Sequence, residues 1–74
     1  MNARLNILTG ERIKQLRKAS KLNQEEFAKK IGYKNRLTVS RIEKGHYACP
    51  PDTLERILIF FDMQISDFYG FKFP

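Results

Sequence analysis

The stretch "GYKNRLTVSRIEKG", Gly32 to Gly45, decides how this chain folds. Glycine stands at both ends, and glycine adopts the positive φ that closes a helix without a Cβ penalty. Asn35 is a favourable N-cap, so the spacing predicts a helix that starts near Asn35 and is ended by Gly45. Val39 and Ile42, three positions apart, share the face that turns inward. Leu37 is then an apolar residue on the outward side, among the four bases Lys34, Arg36, Arg41 and Lys44 and the single acid Glu43. Such a surface either keeps a small domain soluble or meets something negatively charged.

Upstream, "NQEEFAKKIG" opens with Asn23 as an N-cap and Glu26 three residues on, the arrangement of a capping box. Phe27, Ala28 and Ile31 form its inner stripe, and Gly32 follows as its stop. Before it, "GERIKQLRKASK" (residues 10–21) places Ile13, Leu16 and Ala19 on one face, with Arg12, Lys14, Lys18 and Lys21 mostly elsewhere, as in an amphipathic helix. Residues 1–9, "MNARLNILT", lack helical periodicity and read as an N-terminal arm. Ile7 and Leu8 of that arm can pack back onto the domain or against a partner chain.

Downstream, "HYACPPD" is the longest loop, since its two prolines do not fit a helix interior. "DTLERILIFFD" is helical, with Leu54, Ile57, Leu58 and Phe61 inward. A last short helix covers about Ile65 to Tyr69, and residues 71–74 are a C-terminal tail. No strand pattern, repeat or low-complexity segment occurs. The expectation is an all-α, compact five-helix domain over residues 10–70. Its second and third helices are joined at Gly32, and a small Ala28 lets their backbones approach, the grammar of a helix-turn-helix. A plain helical bundle with a tight corner satisfies the same periodicity.

Composition sets the outer bounds. Seventy-four residues make one domain near the lower size at which a single apolar core suffices. With 42% hydrophobic and 30% charged residues the chain is globular rather than disordered, but too small for a deep substrate pocket. The net charge of +6 is unevenly spread: residues 12–44 carry eleven Lys/Arg against three Glu, and residues 45–74 carry two bases against four acids. That polarity gives one side a positive field, for which nucleic acid is the commonest partner and an anionic membrane the second. One cysteine, Cys49, excludes an internal disulfide and fits a reducing cytoplasm. His46 and Cys49 are the only soft ligands and lack partners for metal binding or for acid–base or nucleophilic catalysis, so no metal, no cofactor and no enzyme activity are expected. No apolar run reaches the ~18 residues of a membrane span, and no signal peptide is present, so the expected location is cytoplasmic.

"GERIKQLRKASKLNQEEFAKKIG", "VSRIEKG" and "LERILIFFDMQISDFYG" together resemble the helix-turn-helix domain of the phage repressor and Cro family, also called the Xre family. Asn23-Gln24-Glu25-Glu26 is similar to the family's "TQEEL"-like start of the second helix, and Ser40 to Gly45 to its "S-x-I-E-x-G" end of the third. The similarity spans about Gly10 to Gly70. Two departures stand out: the turn before Ile42 is one residue longer than the commonest spacing, and Asp62, preceded by Phe60 and Phe61, replaces a usual small residue.

The resemblance implies roles. Arg36, Leu37, Ser40 and Arg41 would face the major groove, where arginine suits guanine and leucine a thymine methyl. Arg36 and Arg41 have the alternative of being solvated charges, and Leu37 that of plugging the longer turn. Gln24, Lys34 and Lys44 would contact phosphates, which position a domain without specifying sequence. For Gln24 the exposed N–H groups at its helix start favour this independently, and Gln24 would also brace the third helix. Arg17 and Glu43 would form a partly buried structural ion pair. The segment from Ile57 to Pro74 holds surplus apolar surface, making Ile59, Phe60, Tyr69, Phe71 and Phe73 dimerisation candidates; Phe71 and Phe73 folding back onto the core is the alternative.

The function implied is a sequence-specific double-stranded DNA-binding transcriptional regulator, a repressor bound as a homodimer to a two-fold operator. The chain stops soon after the motif, so no fused sensor is expected; a stand-alone regulator, an antitoxin and a fragment of a longer repressor remain equally open. The alternative function is a protein-interaction module or antitoxin-like partner that binds another protein through its aromatic C-terminal segment.

Overall fold

A computed structural model describes residues 3–70, the side chain of Ala3 excepted. The described residues form five helices and no strand: α1 (Ala3–Ala19), α2 (Gln24–Lys30), α3 (Leu37–Glu43), α4 (Pro51–Phe60) and α5 (Ile65–Tyr69).

The largest correction is at the start. The chain from Ala3 onward is helical and continuous with the expected first helix, where an arm was expected through residue 9. Gly10, the first residue of the segment whose spacing predicts that helix, lies inside α1. Its missing side chain serves packing: a Cβ there would collide with the carbonyl oxygen of Ile42 and lie 2.8 Å from that of Glu43. Gly10 and Thr9 are therefore buried where α1 crosses the end of α3.

α2 opens on its capping box. Asn23 Oδ1 accepts from the Glu26 N–H at 2.7 Å, and Glu26 Oε1 accepts from the Asn23 N–H at 2.9 Å. α3 begins two residues after Asn35, which still acts as a local cap by accepting from the Leu37 N–H at 2.9 Å. α4 starts on Pro51, at a first-turn position that needs no N–H donor.

Four helices end in one motif: a residue at positive φ, then an N–H that reaches back five residues. The pairs are Leu22 to Arg17 (3.3 Å), Tyr33 to Ala28 (2.8 Å), His46 to Arg41 (3.1 Å) and Met63 to Leu58 (2.9 Å). Glycine fills the positive-φ site after α2 and α3 (Gly32, φ 94°; Gly45, φ 79°), while Lys21 (φ 60°) and Asp62 (φ 54°) fill it after α1 and α4. Asp62 thus stands where the chain must turn left-handed, which accounts for its place beside Phe61.

The core consists of Ile13, Phe27, Ala28, Ile31, Val39, Ile42, Ile57 and Phe68. Leu16, Leu54, Leu58 and Phe61 pack on it only partly buried. Ala19, expected inward, is exposed, because α1 ends there and the chain leaves the core face. Phe27 stacks on Phe61 at 5.7 Å and meets Phe60 edge-on at 6.0 Å. Arg12, grouped above with the outlying bases, instead ties α5 to α1. Its Nε and Nη2 donate to the carbonyls of Phe68 (2.8 Å) and Asp67 (3.0 Å).

Candidate nucleic-acid interface

The orientation of α3 is set by a buried charged node. Arg17 Nε donates to Glu43 Oε2 at 2.7 Å and Arg17 Nη2 to Glu43 Oε1 at 3.0 Å, a bidentate pair. The Glu43 side chain is 2% exposed and that of Arg17 9%. Buried charges are tolerated only when their remaining polar valences are met. Here Arg17 Nη1 donates to the Leu22 carbonyl at 2.8 Å, and Gln24 Nε2 donates to Glu43 Oε1 at 3.0 Å. One carboxylate therefore joins α1, α2 and α3. Gln24 braces the third helix through this bond.

With Val39, Ile42 and Glu43 committed inward, the helical repeat turns Leu37, Ser40, Arg41 and Lys44 away from the core, and Arg36, the residue before the helix, is exposed beside them. Arg36, Leu37, Ser40 and Lys44 come together with Glu25 and Asn35 around a surface depression of about 510 Å³. Leu37 is 52% exposed and lines that depression rather than filling the turn. Arg41 is exposed but does not line it; its Nη1 donates to the Tyr47 hydroxyl at 3.1 Å. Lys34 is exposed in the turn, outside the depression.

Four participants carried no signal in local periodicity. Glu25 Oε1 accepts from the Arg36 N–H at 3.1 Å, so α2 caps α3 across the turn. Glu25 also faces Lys29 at 3.7 Å, one helical turn along. Tyr33 and Thr53 share a hydroxyl hydrogen bond that ties the turn to α4. Tyr47 reaches Arg41 from the following loop. The Glu25 cap engages a backbone N–H, which no residue pattern signals, and the Tyr47 contact is purely tertiary.

Of the dimerisation candidates, Ile59 is 73% exposed, while Phe60 and Tyr69 sit near one-third exposed. Phe60 also belongs to the aromatic cluster with Phe27 and Phe61. The Tyr69 hydroxyl shares a hydrogen bond with Thr9 at 3.2 Å. Phe71 and Phe73 lie outside the described residues. Burial first, and then Asp52, push the Cys49 thiol up to about 11, so it is a protonated thiol near neutral pH. No three His, Cys, Asp or Glu side chains gather in a metal-like group among the described residues. No helix among them is long and apolar enough to cross a membrane.

No curated protein sequence and no solved structure matches the chain. The sequence does match the helix-turn-helix family over residues 13–68, which begins in the second half of α1 and ends within α5. That span contains both the charged node and the outward side of α3. The chain belongs to this helix-turn-helix family, in its repressor and Cro-type form, a family of DNA-binding domains.

Proposed function

We propose that this protein is a sequence-specific double-stranded DNA-binding regulator of transcription that acts as a repressor. α3 enters the major groove, which is wide enough to admit a helix. The observation that carries this is the outward side of α3: Arg36, Leu37, Ser40 and Lys44 gathered on one surface, on a helix locked in place by Arg17, Glu43 and Gln24. Arg36 and Arg41 bond guanine, Ser40 serves as a small polar contact, and the exposed Leu37 packs on a thymine methyl. Lys34, Lys44 and the remaining amide hydrogen of Gln24 hold phosphates.

The domain acts as a homodimer on a two-fold site, because one helix reads too few base pairs for useful specificity. The exposed Ile59 supports a contact surface on α4. Repression follows from occupancy of an operator that polymerase also needs, with no chemistry by the protein itself.

Selection of bound sequences from random duplex DNA, repeated at two salt concentrations, tests the proposal. The expected result is a palindrome whose half-site spacing reports the dimer. Recovery of only salt-sensitive, sequence-blind binding would overturn the regulator assignment. A protein that stays monomeric at high concentration in ultracentrifugation, with and without the recovered site, would remove the dimer.

A further inference from the structure

Arg41 differs from its neighbours on α3 in being held by a residue of another segment. Its Nη1 donates to the Tyr47 hydroxyl at 3.1 Å, and its guanidinium carbon lies 5.5 Å from the centre of the Tyr47 ring. Both residues are exposed, so core packing does not force the contact. The loop geometry brings it about. Gly45, at φ 79°, turns the chain back, and the His46 N–H bonds the carbonyl of Arg41 itself at 3.1 Å. Tyr47 follows directly and lies along the arginine side chain.

The engaged atom matters. A guanidinium presents a side-on edge, Nε with Nη2, and Arg17 grips Glu43 by that edge. Tyr47 occupies Nη1 on Arg41, so the corresponding Nε–Nη2 edge is left for a bidentate acceptor. A guanine offers such an acceptor pair, O6 and N7, in the major groove.

We propose that Tyr47 is a positioning residue for base recognition: it holds the Arg41 guanidinium so that its Nε–Nη2 edge meets a guanine. The inference rests on the DNA-binding function proposed above. Physically, an exposed arginine samples many rotamers, and binding must restrict them. A ring beneath the guanidinium and a hydroxyl at one nitrogen restrict them beforehand, which lowers the entropy lost on contact. A phenol suits this task because it accepts from Nη1 while its ring face attracts the cation.

The test is base preference at the position that Arg41 reads, identified as the position relaxed in Arg41→Ala. Tyr47→Ala is expected to lower discrimination at that same base pair by about 2- to 5-fold, the scale of an exposed cation–π contact. The other positions and the salt dependence should stay as in the parent. Tyr47→Phe keeps the ring and should restore part of the preference. In the free protein, the side-chain nitrogen resonances of Arg41 should show faster rotation about the Cζ–Nη1 bond in Tyr47→Phe than in the parent.

Three results overturn the inference. Tyr47→Ala could match the parent at every position; it could weaken all sequences alike; or its effect could persist in an Arg41→Ala background, which would make Tyr47 a DNA contact in its own right. A parent protein that selects no sequence removes the DNA-reading function and this inference together. A parent that selects a site which Tyr47→Ala reads identically removes this inference alone.

Discussion

The two sides of α3 are built by opposite rules. On the inner side, Val39 and Ile42 are buried, and Glu43 has its carboxylate oxygens occupied by Arg17 and Gln24. On the outer side, Arg36, Leu37, Arg41 and Lys44 are exposed, and Ser40 is half-buried. The short stretch from Arg36 to Lys44, α3 and its two caps, thus holds a fixed charged anchor and an open basic surface back to back. The difference shows how a short helix can present polar groups accurately: its own length gives little stability, and the rigidity comes from what lies behind it.

Substitutions can break this division, and the largest effect is expected behind the helix. Glu43→Ala leaves the Arg17 cation buried without its partner, which costs ~3–5 kcal/mol. A small domain has only ~5–15 kcal/mol in all, so denaturant unfolding should show a protein at the edge of folding. If Glu43→Ala unfolds like the parent, the anchor is not an anchor. Next comes Gly10→Ala, which pushes a methyl into the carbonyls of Ile42 and Glu43. Overpacking of this kind costs ~1–3 kcal/mol. The same unfolding curve should shift to lower denaturant, and an unchanged midpoint would show that α1 slides freely over α3.

The outer side should respond in binding instead. Arg36→Ala is expected to change stability by no more than ~0.5 kcal/mol while losing ~1–3 kcal/mol of discrimination at one base pair. Binding to the selected site and to single-base variants measures it; an equal loss on every sequence would reassign Arg36 to a phosphate. The smallest effect belongs to Lys44→Ala, expected to weaken all sequences alike and to reduce the salt slope by ~1. A base-specific loss at Lys44 would move the boundary between reading and positioning residues.

Much of the inner side was legible in the sequence. Asn23 and Glu26 announce the start of α2, Gly32 and Gly45 its end and that of α3, and Val39 with Ile42 the buried stripe. These signals are local, carried by cap chemistry and helical spacing. The packing role of Gly10 was not legible, because glycine can end a helix or admit a neighbour and only the crossing of α3 decides between them. Arg12 and Glu25 were missed as braces for a related reason. Their acceptor and donor partners are backbone groups in other segments, the Phe68 and Asp67 carbonyls and the Arg36 N–H, and backbone groups leave no mark in a residue pattern. Ile59 stands out in the sequence as surplus apolar surface and is exposed in the fold, whereas Phe60 shares its ring with the aromatic cluster.

The node of Arg17, Glu43 and Gln24 has a consequence for how α3 turns about its own axis. Neighbouring residues on a helix point ~100° apart, so a roll of a fraction of that angle would redirect every outward side chain. Such a roll would also carry Glu43 off both the α1 guanidinium and the α2 amide, whose distances of 2.7 to 3.0 Å leave little slack. The helix therefore has a single azimuth. Accommodation to different binding surfaces falls to side-chain rotation and to deformation of the partner, and the bearing from which each outer residue projects is settled once, when the chain folds.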